Sequence, residues 1–223
     1  MKSLIAGLPV LLASTLAVAE PEKSPMIDLN DQVSGLVCDA RYAGAENFTG
    51  RPLTGYEKSM CLGTPELALA LAKAQEALAP YGLTLVVFDA YRPQSAVDGL
   101  IKWAADEKDT LHKADYYPDV QKDRLIPDGY IAAKSGHSRG GTVDLSIADA
   151  ATGTLLDMAT SFDFFGPQSG LSATGLTVQQ KANRALLSTV MQAAGFVPYD
   201  AEWWHFRLKD EPWPDTYFDI PVR

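Results

Sequence analysis

Pro80-Tyr81-Gly82 is the sharpest break in the sequence, and it separates two patterns that belong to different secondary structures. Before it, Leu67, Leu71, Ala74 and Leu78 recur at helical spacing. Thr64 is a good N-cap for that helix, Pro65 suits its first position, and Pro80 to Gly82 stop it. Directly afterwards Leu83 to Ala90 reads LTLVVFDA, an apolar and β-branched run of strand length. A second helix is expected after Tyr91-Arg92-Pro93, running to about Asp106, and Val143 to Ile147 reads as a short strand. Thr177 to Gln180 is a T-x-x-Q capping box. The helix it opens carries Ala182, Leu186, Val190 and Met191 on one face and ends at Gly195, before a further strand in WWHFRL. Helices and short strands mix without a βαβ rhythm. That pattern points to an α+β fold, a central antiparallel sheet flanked by helices, rather than a doubly wound one.

At 223 residues and 47% hydrophobic, the chain suits one domain with a sizeable core. Residues 1–19 pair Lys2 with an apolar run and end Ala17-Val18-Ala19, the pattern of a cleaved secretory signal peptide. Its removal takes the formal charge from −9 to −10. The short apolar core disfavours the competing reading of a retained membrane anchor, so the expected product is exported, with the periplasm its expected location. Such an acidic protein repels nucleic acid and anionic membrane surfaces, and no membrane span is expected after signal cleavage. Residues 20–36 are polar, hold two prolines and read as a flexible leader, and 37–223 read as a single domain. Cys38 and Cys61 are the only cysteines, a candidate disulfide in an exported chain and too few for a cysteine-based zinc site.

Three stretches carry candidate chemistry. In SGHSRGGTVDLSI, His137 and Asp144 flank Gly140-Gly141, which lets the backbone turn so that both side chains reach one point. Imidazole and carboxylate are good zinc ligands, yet a hydrogen-bonded structural pair fits these residues equally well. In AEWWHF, Glu202 and His205 sit among aromatics, where a carboxylate is costly without a partner. Positions three apart on a regular strand face opposite ways, so either the two serve different places or the backbone bends between them. In FDAYRPQ, Asp89 and Arg92 end an apolar strand, as a salt bridge or with Arg92 as a fixed cation for a developing oxyanion. Together these residues compose a hydrolytic set: His137, Asp144 and His205 on a metal, Glu202 as base and Arg92 as oxyanion stabiliser. His112, in TLHKADYYPD, reads as a surface residue.

SGHSRGGTVDLSI is similar to the S-x-H-x-x-G-x-A-x-D motif of the D-alanyl-D-alanine metallopeptidases, with Thr142 in place of the usual alanine. EWWHF and DAYRP resemble the same group's second zinc motif and arginine motif. RYAGAENFTGRPLTGYE, LDMATSFDFFG and DEPWPDTYFDIPV resemble segments of its D-alanyl-D-alanine dipeptidases, the type known from vancomycin resistance, with Ala159 where a glycine is frequent. The resemblance spans about Val37 to Val222. It implies the hedgehog-like fold of those enzymes, one Zn2+ per chain on His137, Asp144 and His205, Glu202 as general acid/base and Arg92 as transition-state aid. It also implies that Tyr42, Ser135 and Asp163 hold the free amino end of a small dipeptide substrate.

The expected function is therefore zinc-dependent hydrolysis of D-alanyl-D-alanine outside the inner membrane. Its rivals are a carboxypeptidase acting on peptidoglycan stem peptides and a non-catalytic zinc or cell-wall binding module. A preference for free over N-acylated dipeptide separates the first rival, and the buried Glu202 argues against the second.

Overall fold

The structure is a computed structural model that describes residues 24–223. The expected signal peptide, 1–19, lies outside the described residues. In chain order the elements are β1 (Ile27–Asp28), α1 (Leu29–Gln32), β2 (Val37–Cys38), β3 (Leu62–Gly63), α2 (Pro65–Leu78), β4 (Leu83–Asp89), α3 (Gln94–Ala105) and α4 (Lys113–Tyr116). They continue with β5 (Thr142–Asp149), α5 (Val178–Ala193), β6 (Phe196–Tyr199) and β7 (Glu202–Leu208). Five strands form the main sheet in the order β2-β4-β5-β7-β6, and β1 pairs with β3 in a separate small ladder. Every neighbouring pair in the main sheet is antiparallel except β2 with β4, so the expected antiparallel sheet carries one parallel edge strand.

The breaks seen in the sequence fall where local chemistry places them. Thr64 Oγ1 accepts from the Leu67 amide, Pro65 opens α2, and Gly82 at φ +69° ends the turn that follows. α2 buries Leu67, Leu71, Ala74 and Leu78 and lies against β4 and α5. β4 is buried from Thr84 to Asp89, and β5 from Thr142 to Ala148, so both faces of these strands are covered. Among the described residues, no helix is long and apolar enough to cross a membrane.

Two expectations are corrected. The segment 20–36 is not a loose leader over its described part. Met26, Leu29, Val33 and Leu36 are buried, Leu29 completely, and Asp28 caps α1 by accepting from the Asn30 amide. The apolar residues at 29, 33 and 36 are spaced as one helical face, a stripe that the segment's polar average hides. The inward face of α5 is also rotated from the expected one. Ala182 is exposed, whereas Asn183, Arg184, Leu187 and Met191 are buried. Arg184 sits inside because its guanidinium donates to the carbonyls of Met158, Gln168 and Gly170, and Asn183 donates to the Asp157 carbonyl. These side chains anchor the loop 157–170 to α5, a polar use of an inward face that apolar periodicity does not register.

Cys38 and Cys61 form a disulfide with Cα atoms 5.8 Å apart, tying β2 to the residue just before β3.

Replacing Leu29 with Ala is expected to lower unfolding free energy by about 2–5 kcal/mol in denaturant titrations. A leader outside the core would give a change within about 0.5 kcal/mol. Replacing Cys38 and Cys61 together with serine opens a bridge between residues 23 apart in sequence. The expected cost is about 3 kcal/mol, read as a lower denaturation midpoint under non-reducing conditions.

Candidate metal centre and catalytic cleft

Strand register builds the centre. Asp89 of β4 stands opposite Asp144 of β5, and Asp144 stands opposite His205 of β7, so three functional side chains occupy one row across the sheet. His137 comes from the short turn Gly136–Arg139 just before β5. Gly140, at φ +78°, reverses the chain between that turn and the strand, and so swings His137 over Asp144.

The outcome is a compact donor cluster. His137 Nε2 lies 3.2 Å from Asp144 Oδ2, His205 Nδ1 lies 2.9 Å from Asp144 Oδ1, and the two ring nitrogens are 3.4 Å apart. One ligand atom from each of His137, Asp144 and His205 lies within 4.8 Å of the others. His137 Nδ1 donates to the Ala90 carbonyl at 2.7 Å, which fixes the tautomer and leaves the Nε2 lone pair facing the cluster. Asp144 Oδ1 is buried and has no hydrogen-bond donor, despite the nearby imidazole. Two imidazole nitrogens and an unsatisfied carboxylate oxygen aimed at one point are the donor set of a divalent transition metal with N/O preference. Burial works against ionisation of Asp144, but His137 and then His205 outweigh it, holding the carboxyl well below the usual range.

Glu202 reaches the same place through a distortion of the strand pair. Pro198 and Tyr199 are adjacent on β6, yet they pair with Phe206 and Glu202, four positions apart on β7. The intervening residues bulge, and Glu202 Oε2 comes within 3.7 Å of His205 Nδ1. Of the two arrangements that the spacing allows, the structure takes the bent one. Burial is the main cause that raises the Glu202 pKa, to about 7, with Asp144 adding to it and His205 and Arg92 opposing it.

Arg92 is clamped to Asp89, its Nε at 2.9 Å and Nη2 at 2.8 Å from Oδ2. Its guanidinium lies 4.8 Å from the Tyr42 ring centroid, and Nη2 is 3.7 Å from Asp144 Oδ2. Tyr42 donates its hydroxyl proton to Asp163 Oδ2 at 2.8 Å. Asp163 is buried in a left-handed backbone conformation at φ +61°. Burial, and then the Asp144 charge, push its carboxyl well above the ordinary value despite the Tyr42 hydrogen bond. Ser135 caps the turn that carries His137, its Oγ accepting from the His137 amide at 3.3 Å.

All eight of Tyr42, Arg92, Ser135, His137, Asp144, Asp163, Glu202 and His205 line one cleft of about 210 Å³. That is smaller than the roughly 300–1,000 Å³ of sites for drug-sized ligands. His112 is elsewhere, half-buried beside Asp115 and Tyr116.

Sequence reasoning saw Asp89 only as a partner for Arg92. In the structure it also accepts from the Tyr56 hydroxyl and lies 3.2 Å from His137 Nδ1, so it joins the arginine clamp to the donor cluster. Its place at the end of an apolar strand was the available signal. Tyr130 and Tyr199, which wall the cleft, lie in a loop and at the distorted strand pair, where no periodicity marks them.

The profile of the D-ala-D-ala dipeptidase family matches residues 22–223. A D-alanyl-D-alanine dipeptidase of Enterococcus faecalis is 44% identical over 194 residues, covering 87% of this chain and 96% of the relative. One of Escherichia coli is 34% identical over 187 residues, covering 84% of this chain and 86% of the relative. Among solved structures, a vancomycin-resistance D,D-pentapeptidase in complex with Zn(II) aligns at 16% identity and a TM-score of 0.41, covering 71% of this chain and 78% of that one. On the extent of the profile match and the identity to these relatives, the chain belongs to the D-ala-D-ala dipeptidase family.

Proposed function

We propose that this protein is a zinc-dependent dipeptidase that splits D-alanyl-D-alanine into two D-alanines, acting outside the inner membrane. The observation that carries the reading is the convergence, in one small cleft, of the His137–Asp144–His205 donor cluster with an adjacent buried glutamate. The family relatives named as D-alanyl-D-alanine dipeptidases support the substrate. The signal-like residues 1–19 support the location, which favours wall turnover or scavenging of released dipeptide over destruction of a cytoplasmic precursor.

His137, Asp144 and His205 would hold the metal, and zinc bound there lowers the pKa of a water to about 7 and polarises a carbonyl. Glu202 takes the proton of the attacking water as the new C–O bond forms, then gives it to the leaving amine as the C–N bond breaks. A carboxylate with a pKa near neutrality suits both halves of that transfer. Arg92, immobilised by Asp89, offers positive charge to the oxygen on which negative charge develops. Asp163, with Tyr42 steadying one oxygen, is the counter-ion for the substrate ammonium, and Ser135 lines the same cleft. An ammonium there returns the buried carboxyl to its charged form. That exchange favours a free amino terminus over an acylated one, because an amide leaves the acid unpaired.

Glu202→Gln is expected to keep one zinc per chain by elemental analysis while lowering kcat at least about 100-fold. Chelation should abolish turnover in the parent protein, and zinc should restore it. Survival of activity in the Gln variant would remove Glu202 from the mechanism. Free D-Ala-D-Ala is expected to be cleaved at least about 100-fold more efficiently, by kcat/KM, than its N-acetyl derivative. The reverse preference would make the protein a carboxypeptidase.

A further inference from the structure

We infer that Lys134 recognises the carboxylate end of the substrate and so fixes which residue is the last one the cleft accepts. This deepens the dipeptidase reading and rests on it. Three carboxylates, Asp144, Asp163 and Glu202, line the cleft, against two cations, Arg92 and Lys134. A dipeptide brings one ammonium and one carboxylate. The ammonium has a buried partner at Asp163, and the carboxylate at the other end calls for a cation that is free to pair with it.

Arg92 is a poor source of that cation. Its Nε and Nη2 are both held on Asp89 Oδ2, which fixes it beside Asp144 and commits its charge to the oxygen at the reacting carbonyl. Lys134 differs on each point. It is exposed at the cleft and immediately precedes Ser135. Among the described residues its ammonium partner is the ring of Tyr217, 4.6 Å away, and no carboxylate pairs with it. The ring is itself fixed, since Arg139 donates to the Tyr217 hydroxyl while binding Glu211 through two nitrogens. Lys134 thus has a steady aromatic rest and an unspent charge, on a stem long enough to follow a ligand. With Asp163 reading the amino end and Lys134 the carboxylate end, the cleft measures a dipeptide by its two charges.

The test uses the zinc-loaded full chain, Lys134→Gln and Lys134→Arg, with D-Ala-D-Ala and its C-terminal amide as paired substrates. Lys134→Gln is expected to raise KM for D-Ala-D-Ala about tenfold with kcat within about twofold, and Lys134→Arg to recover most of that loss. Cleavage of the amide, which has no carboxylate to bind, should be unaffected by either change. An unchanged KM for D-Ala-D-Ala in Lys134→Gln, or an equal loss on the amide, overturns the assignment. If the parent protein cleaves neither compound, the dipeptidase reading itself fails. Calorimetric binding to the same proteins then decides for Lys134: a preference for dipeptide over amide that disappears in Lys134→Gln sustains its role. Equal binding of the two ligands, or binding of neither, removes it.

Discussion

The pairing of β4, β5 and β7 is the constraint from which the site follows. Asp89, Asp144 and His205 meet only because their strands align them in one row. Side chains alternate across a sheet, so a slip of one residue between β5 and its neighbours would turn Asp144 away from both partners. The centre therefore stands on the most deeply buried part of the fold, where β4 and β5 are covered on both faces. The fourth contributor, His137, depends on one reversal at Gly140. A β-carbon there would lie 2.6 Å from Met26 Sδ, so the N-terminal segment packs directly on the hinge between two donor residues. The segment that reads as a leader is thus part of what holds the donor cluster in shape.

Burying several carboxylates in one cleft is tolerable because each has a different answer to its own charge. Asp89 is matched by Arg92 and the Tyr56 hydroxyl. Asp144 is kept ionised by the two imidazoles and leaves one oxygen for a cation. Glu202 and Asp163 are instead pushed upward, mainly by burial. Environments that split the pKa values of neighbouring acids divide them into anion and proton carrier, the division that the proposed hydrolysis draws on. The disulfide supports the same arrangement from outside. Cys38 precedes the turn that presents Tyr42, and Cys61 precedes Leu62, whose carbonyl accepts from the Tyr91 amide beside Arg92.

Much of this was legible in the sequence because it is written in local signals. Thr64-Pro65, Pro80 to Gly82 and the T-x-x-Q box announce helix ends by chemistry confined to a few residues, and all three occur in the structure. The convergence of His137, Asp144 and His205 was a proposition about distant segments, drawn from residue types and from resemblance, and the structure brings the three together. What stayed hidden needs contacts without periodicity. β6 is a four-residue strand containing a proline, and Asn183 and Arg184 face inward for loop carbonyls rather than for apolar contact. Tyr56 is 33 residues from the aspartate it binds.

The two departures from the family pattern acquire physical meaning once their neighbours are visible. Thr142, where alanine is usual, is fully buried at the start of β5. A β-carbon on Gly136 would lie 2.7 Å from Thr142 Oγ1, so the larger residue in the strand fits because the turn opposite has no side chain. The pair is complementary in volume, and the exchange leaves His137, next to Gly136, within the donor cluster. Ala159 is different in kind. It adopts φ +74°, a left-handed conformation that glycine enters freely and alanine does not, while its amide donates to Asp157 Oδ1. The loop that carries Asp163 is tied down on the other side by Arg184, whose three carbonyl partners lie on either side of that aspartate. Those contacts hold the loop in a shape that Ala159 alone would oppose, so the strain is carried by the segment that holds the buried Asp163 in the cleft.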